Sequence, residues 1–157
     1  LQIPHQKTIM KPRILSSARL SFPLACALAA LLALTSASAA TLTWDNVAGG
    51  TINDGGGAWL GAGLWNNGSP SINWTSGDDA IFGIGGVGGA VTLASPTTVN
   101  SLTFNSFTTT AYTLGAATQT ITLNNGITMN SGAFNVTFVS PVTLGAVQAW
   151  TNNSANT

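Results

Sequence analysis

The chain has 157 residues, with four basic, four acidic and one histidine side chain, a length that allows one domain or two small ones. Lys7, Lys11, Arg13 and Arg19 are all the cations, and His5 and Cys26 also lie before residue 41. From residue 41 onward the ionisable side chains are Asp45, Asp54, Asp78, Asp79 and Tyr112, and Thr, Gly and Asn make up almost half of the stretch. Such a region cannot build a Ser-His-Asp triad, a thiolate nucleophile, a zinc site or a phosphate clamp, and cannot bind nucleic acid by neutralising phosphates.

Residues 1–9 precede Met10 and read as an over-extended reading frame. Residues 10–40 read as a secretory signal peptide: a cationic stretch to Arg19, an apolar run from Leu24 to Leu34, then small residues. Ala37 and Ala39 fit cleavage after Ala39; Ser38 and Ala40 fit cleavage one residue later. The apolar run is short of the ~20 residues a membrane-spanning helix needs. Cys26 is not a lipobox cysteine, because Pro23 stands where Leu is wanted and the apolar run continues past it. The processed chain would carry no Cys and a charge of about −4, in keeping with an exported protein that needs no disulfide.

Residues 41–90 are rich in Trp and Gly, with turn signals at 49–50, 54–57, 67–70 and 76–78. Short strands are predicted at 41–44, 71–75 and 79–82. From residue 90 the texture changes to alternating strands, predicted at 90–94, 99–105, 111–115, 119–124, 127–130, 134–139 and 142–144. Most carry an apolar-Thr-apolar triplet, such as Leu102-Thr103-Phe104 and Ile121-Thr122-Leu123. Strand side chains alternate faces, so the apolar pair faces a core and the Thr faces outward. The triplets recur in a two-strand unit of about 15–21 residues, the hallmark of a solenoid. That rhythm predicts stacked coils over 91–157 behind a Trp/Gly-rich cap at 41–90. One coil cannot bury enough apolar surface to fold alone, so several must stack. Asn124-Asn125-Gly126 between two such runs is equally a hairpin turn, which leaves an antiparallel β-sandwich as the alternative to a parallel β-solenoid. In a solenoid it is a corner, with Asn105 and Asn124 stacked as an Asn ladder.

Three segments carry a resemblance to bacterial proteins with autotransporter-associated β-strand repeats: Ala40-Thr-Leu-Thr-Trp-Asp-Asn46, Gly77-Asp-Asp-Ala-Ile-Phe-Gly83, and Thr98 to Phe104 followed by Tyr112-Thr-Leu-Gly115. The resemblance implies a right-handed parallel β-helix, exported and displayed at or released from the cell surface. The longer Gly-Thr-Leu repeat with a Tyr-Thr-Gly step and a C-terminal barrel are not in this chain, and the pattern runs to its last residues, which reads as a fragment or a truncated product.

The candidate sites are few. Asp78 and Asp79, with Asp45 and Asp54 upstream, are weak calcium candidates, since their spacing matches no EF-hand, no Gly-Gly-x-Gly-x-Asp nonapeptide repeat is present and Asp also serves turns. Trp59 and Trp65 offer either a sugar-stacking platform or a plug for the end of the helix. The Gly-rich 83–89 segment precedes a strand and not a helix, which discards a phosphate loop. The function expected is a non-enzymatic, cofactor-free surface or secreted structural protein or adhesin. Glycans or cell-surface components are its expected partners, with the membrane met only during export and self-association permitted by the low charge. The alternatives are a carbohydrate-binding module, or the start of a polysaccharide-active enzyme whose catalysis would lie beyond residue 157.

Overall fold

The structure, a computed structural model, describes residues 38–155 apart from Pro70; the segment assigned to the signal peptide lies, up to residue 37, outside the described residues. The chain forms thirteen short strands, most of them marked by alternation of buried apolar and outward polar residues, and no helix among the described residues. They are β1 (Thr41–Trp44), β2 (Gly57–Ala58), β3 (Trp65–Asn66), β4 (Asp79–Phe82), β5 (Ala90–Thr92), β6 (Thr97–Val99) and β7 (Leu102–Phe104). β8 (Tyr112–Leu114), β9 (Ile121–Leu123), β10 (Ile127–Met129), β11 (Val136–Phe138), β12 (Val142–Leu144) and β13 (Trp150–Asn152) follow.

Every third strand returns to the same sheet. One sheet has the order β13-β10-β7-β4-β1-β3, the second β11-β8-β5-β2 and the third β12-β9-β6. The pairings are parallel except β1 with β3. The molecule is therefore a parallel β-solenoid of three complete three-strand turns, and not an antiparallel sandwich. β3 folds back on β1 and closes the N-terminal end.

The repeat differs from the expected one. Ala80 pairs with Leu102, Leu102 with Ile127 and Ile127 with Trp150, and these partners mark the start of successive coils. Each coil has three strands, and is longer than the two-strand unit expected. The miscount has a cause: the run predicted as one strand at 99–105 is two, β6 and β7, with a corner at Asn100-Ser101. Moreover, β6 begins with buried Thr97 where the other strands of its sheet have Ile121 and Val142, so it lacks the apolar triplet. The change of texture at residue 90 is not where coiling begins, since β4 already pairs with both β1 and β7. The strand predicted at 71–75 is absent; Ile72 makes a single bridge to Trp65, beside Ser71 at φ 64°.

Asn124-Asn125-Gly126 is a corner. It leads from β9 in one sheet to β10 in another, with Gly126 at φ 92° in the left-handed region that a side chain resists. Its partner below is the corner at Asn100, whose carbonyl accepts from the Asn125 amide at 2.6 Å. The Asn stack expected between Asn105 and Asn124 is thus replaced by two others, Asn100 with Asn125 and Asn105 with Asn130. In the latter the Asn130 Nδ2 donates to Asn105 Oδ1 at 2.8 Å.

The core is a column of inward side chains shared between coils. Leu42, Ala80, Leu102 and Ile127 form one buried line; Trp44, Phe82 and Phe104 form the next. Towards the N-terminal end the column becomes aromatic: Trp59, Trp65 and Trp74 pack edge-on or tilted against one another with ring centroids 4.7–5.2 Å apart. Phe82 touches Trp44, Trp59, Trp65, Phe104 and Tyr112. These large rings fill the N-terminal end of the column, where aliphatic residues of the same number would occupy less volume.

Candidate functional site

The four carboxylates are spent on the fold. Asp45 follows β1 and is buried; its Oδ1 accepts from the Val47 amide at 3.2 Å and the Asn53 amide at 3.0 Å, which fixes the loop between them. Its Oδ2 is buried without a hydrogen-bond partner. Asp54, also buried, accepts from the Gly83 amide at 3.2 Å and the Gly86 amide at 2.7 Å, tying the first coil to the second.

Asp78 and Asp79 open β4 and their bonded oxygens reach in opposite directions along the stack. Asp78 Oδ1 accepts from the Ala40 amide in the coil before it at 2.9 Å. Asp79 Oδ1 accepts from Asn100 Nδ2 at 2.8 Å and Ser101 Oγ at 2.5 Å in the coil after it. This divergence gives each a corner-holding role. No three His, Cys, Asp or Glu side chains gather as a metal centre among the described residues.

Tyr112 is fully buried beneath these loops, its hydroxyl without a hydrogen bond of ordinary geometry. Burial, and after it the negative charge of nearby Asp54, pushes its phenol well above the usual tyrosine range.

Trp59 and Trp65 have no exposed surface. Trp65 Nε1 donates to the Trp59 carbonyl at 2.8 Å, and both rings lie inside the aromatic cluster. A sugar ring needs an open aromatic face, so the stacking platform is corrected to a plug. Of the other rings, Trp74 Nε1 donates to Thr97 Oγ1 at 2.9 Å. That bond satisfies the buried Thr where the aliphatic column is interrupted.

The outward positions of most strands are threonine, with Ile81 of β4 standing between Thr43 and Thr103 on the first sheet. Thr103, Thr128 and Thr151 are in register on the first sheet, Thr113 and Thr137 on the second, and Thr98, Thr122 and Thr143 on the third. Each face is thus a column of hydroxyls and methyls at the ~4.8 Å inter-strand spacing, with no charge in the column. No family model, no curated protein and no solved structure matches this chain.

A second surface feature was not foreseen from the sequence. At the C-terminal end the core column meets solvent in a cavity of about 320 Å³, lined by Phe104, Met129, Phe138 and Trp150 among others. Trp150 is 58% exposed and Leu144 57%, although both occupy inward positions of their strands. The sequence did contain a signal for the coil step that places these residues: two Asn pairs, 100/125 and 105/130, share one separation.

Proposed function

We propose that this chain is a non-enzymatic, exported β-solenoid that serves as a surface-displayed or secreted structural element or adhesin, as a passenger of the autotransporter-associated repeat kind would. The observation that carries the reading is the outer wall. Its three threonine columns present hydroxyls at a fixed repeat, while the carboxylates are each engaged in holding loops and corners. A wall of that type makes many weak polar contacts to polyhydroxylated surfaces and holds no nucleophile or acid–base pair in a cleft. The cationic and apolar segment ahead of residue 41 supports export.

The test is expression of the full chain in a Gram-negative host, fractionation, and adhesion of the recovered protein to a glycan array and to whole cells. The expected result is a processed chain outside the cytoplasm that binds weakly and multivalently. Thr122→Lys and Thr143→Lys should each lower adhesion by a few-fold without unfolding the protein. Retention of an intact chain in the cytoplasm, or hydrolysis of a glycan that stops on a single Asp→Asn change, would overturn the reading.

A further inference from the structure

The corner that precedes each strand of the first sheet forms a vertical column: Ala40 beneath Asp78, Asp78 beneath Asn100, Asn100 beneath Asn125. In its upper steps, backbone amides bond backbone carbonyls. Asn100 N donates to the Asp78 carbonyl at 2.9 Å and Asn125 N to the Asn100 carbonyl at 2.6 Å. At the foot the pattern changes. Ala40 has no coil beneath it among the described residues, and its nitrogen turns to the Asp78 carboxylate at 2.9 Å. Its carbonyl is still in the ladder, accepting from the Asp79 amide at 2.8 Å. Ala40 is the first described residue hydrogen-bonded into the solenoid.

We propose that the chain is cut between Ala39 and Ala40 and that the new α-ammonium group on Ala40 pairs with the Asp78 carboxylate. This rests on the export reading above. A signal-processing endopeptidase adds water across the peptide bond. The water oxygen goes to the Ala39 carboxylate on the released peptide, and the Ala40 nitrogen takes up the protons to become –NH3+. No Lys, Arg or His follows residue 19, so this ammonium is the one cationic group the processed chain has. The amide-to-carboxylate bond, already charge-assisted through its acceptor, becomes an ammonium–carboxylate ion pair on the same two atoms. Cutting one residue later would remove the Ala40 carbonyl and leave the Asp79 amide without its acceptor. The two cleavage positions that small-residue rules allow are therefore not equivalent to the fold.

The processed chain has a single primary amine, which makes the test direct. The full chain is expressed in a Gram-negative host, the exported protein is weighed intact, and its rate of reaction with an amine-reactive ester is followed against pH. The expected mass begins at Ala40. The amine should titrate above the ordinary α-amino value of about 7.7–8.0, so labelling at neutral pH runs roughly three- to ten-fold slower than for a short peptide beginning Ala-Thr-Leu. Asp78→Asn should restore the peptide rate. The wild-type pH profile carries the pairing test by itself if that variant fails to fold. A mass beginning at Thr41 or elsewhere, or an amine that reacts like the free peptide, overturns the inference and leaves export standing. An unprocessed chain that labels at Lys7 and Lys11 overturns both.

Discussion

Replacing Phe82 by Ala tests whether the stacked coils share one core. The ring has no exposed surface and meets five others at centroid distances of 5.2–6.0 Å. Losing the buried ring costs about 2 kcal/mol in transfer free energy. A void of roughly 100 Å³ adds about 2.4 kcal/mol at ~24 cal/mol per Å³ if the surrounding tryptophans hold their places. About 4 kcal/mol is a large share of a typical stability of ~5–15 kcal/mol. Phe138 is the internal comparison. It also points inward, but from β11 at the open end, where it is half-buried and borders the 320 Å³ cavity. Phe138→Ala extends a space already open to solvent and should cost about 1–2 kcal/mol. Urea unfolding monitored by Trp fluorescence measures both. Because four of the five tryptophans surround Phe82 or its neighbours, the wild-type and Phe138→Ala transitions report the same cluster. Equal midpoints for the two variants would refute a core that is closed at one end and open at the other.

Gly126→Ala and Gly68→Ala separate backbone conformation from crowding. Both residues have positive φ, 92° and 100°, but a Cβ at 126 runs into the Ala149 carbonyl oxygen whereas one at 68 meets nothing. The expected losses are about 1–2 kcal/mol at 68 and clearly more, about 3 kcal/mol, at 126, read from denaturant midpoints. Asp54→Ala orphans the Gly83 and Gly86 amides and should cost about 2–4 kcal/mol, with hydrogen exchange rising first at those two positions. Tyr112 governs the alkaline limit. The fold raises its pKa, so the folded state keeps a proton that the unfolded chain releases above about pH 10. Stability is therefore unaffected below that point and falls by up to about 1.4 kcal/mol per pH unit above it. Tyr112 is the single tyrosine, so phenolate absorbance reports it alone; ionisation at the ordinary value without unfolding would contradict the burial argument.

The strands legible in the sequence were those that alternate, the apolar-Thr-apolar triplets and β4 at 79–82, since alternation alone fixes which side faces the core. β8 through β12 lie within the predicted runs for that reason. The strands missed had no alternation to show. β2 is Gly57-Ala58, β3 is two buried residues held by the fold-back onto β1, and β13 carries Trp150-Thr151-Asn152, whose third residue is polar. The number of strands per coil was hidden at Asn100-Ser101, where two strands abut across a short corner and read as one run. The fates of the acids were not legible either. Whether a carboxylate binds an ion or caps a corner depends on which coil it faces, and that is set by pairing with a strand a whole coil away in sequence.

The threonine columns have a consequence for the conditions this protein tolerates. Coil is held to coil by amide ladders, a shared apolar interior and carboxylate hydrogen bonds, and beyond residue 19 the α-ammonium proposed on Ala40 is the one cation an aspartate can pair with. Screening by dissolved electrolyte therefore has little cohesion to weaken. Passing from dilute buffer to the ionic strength of sea water should leave the melting temperature unmoved or raise it slightly, as repulsion among the remaining aspartates fades.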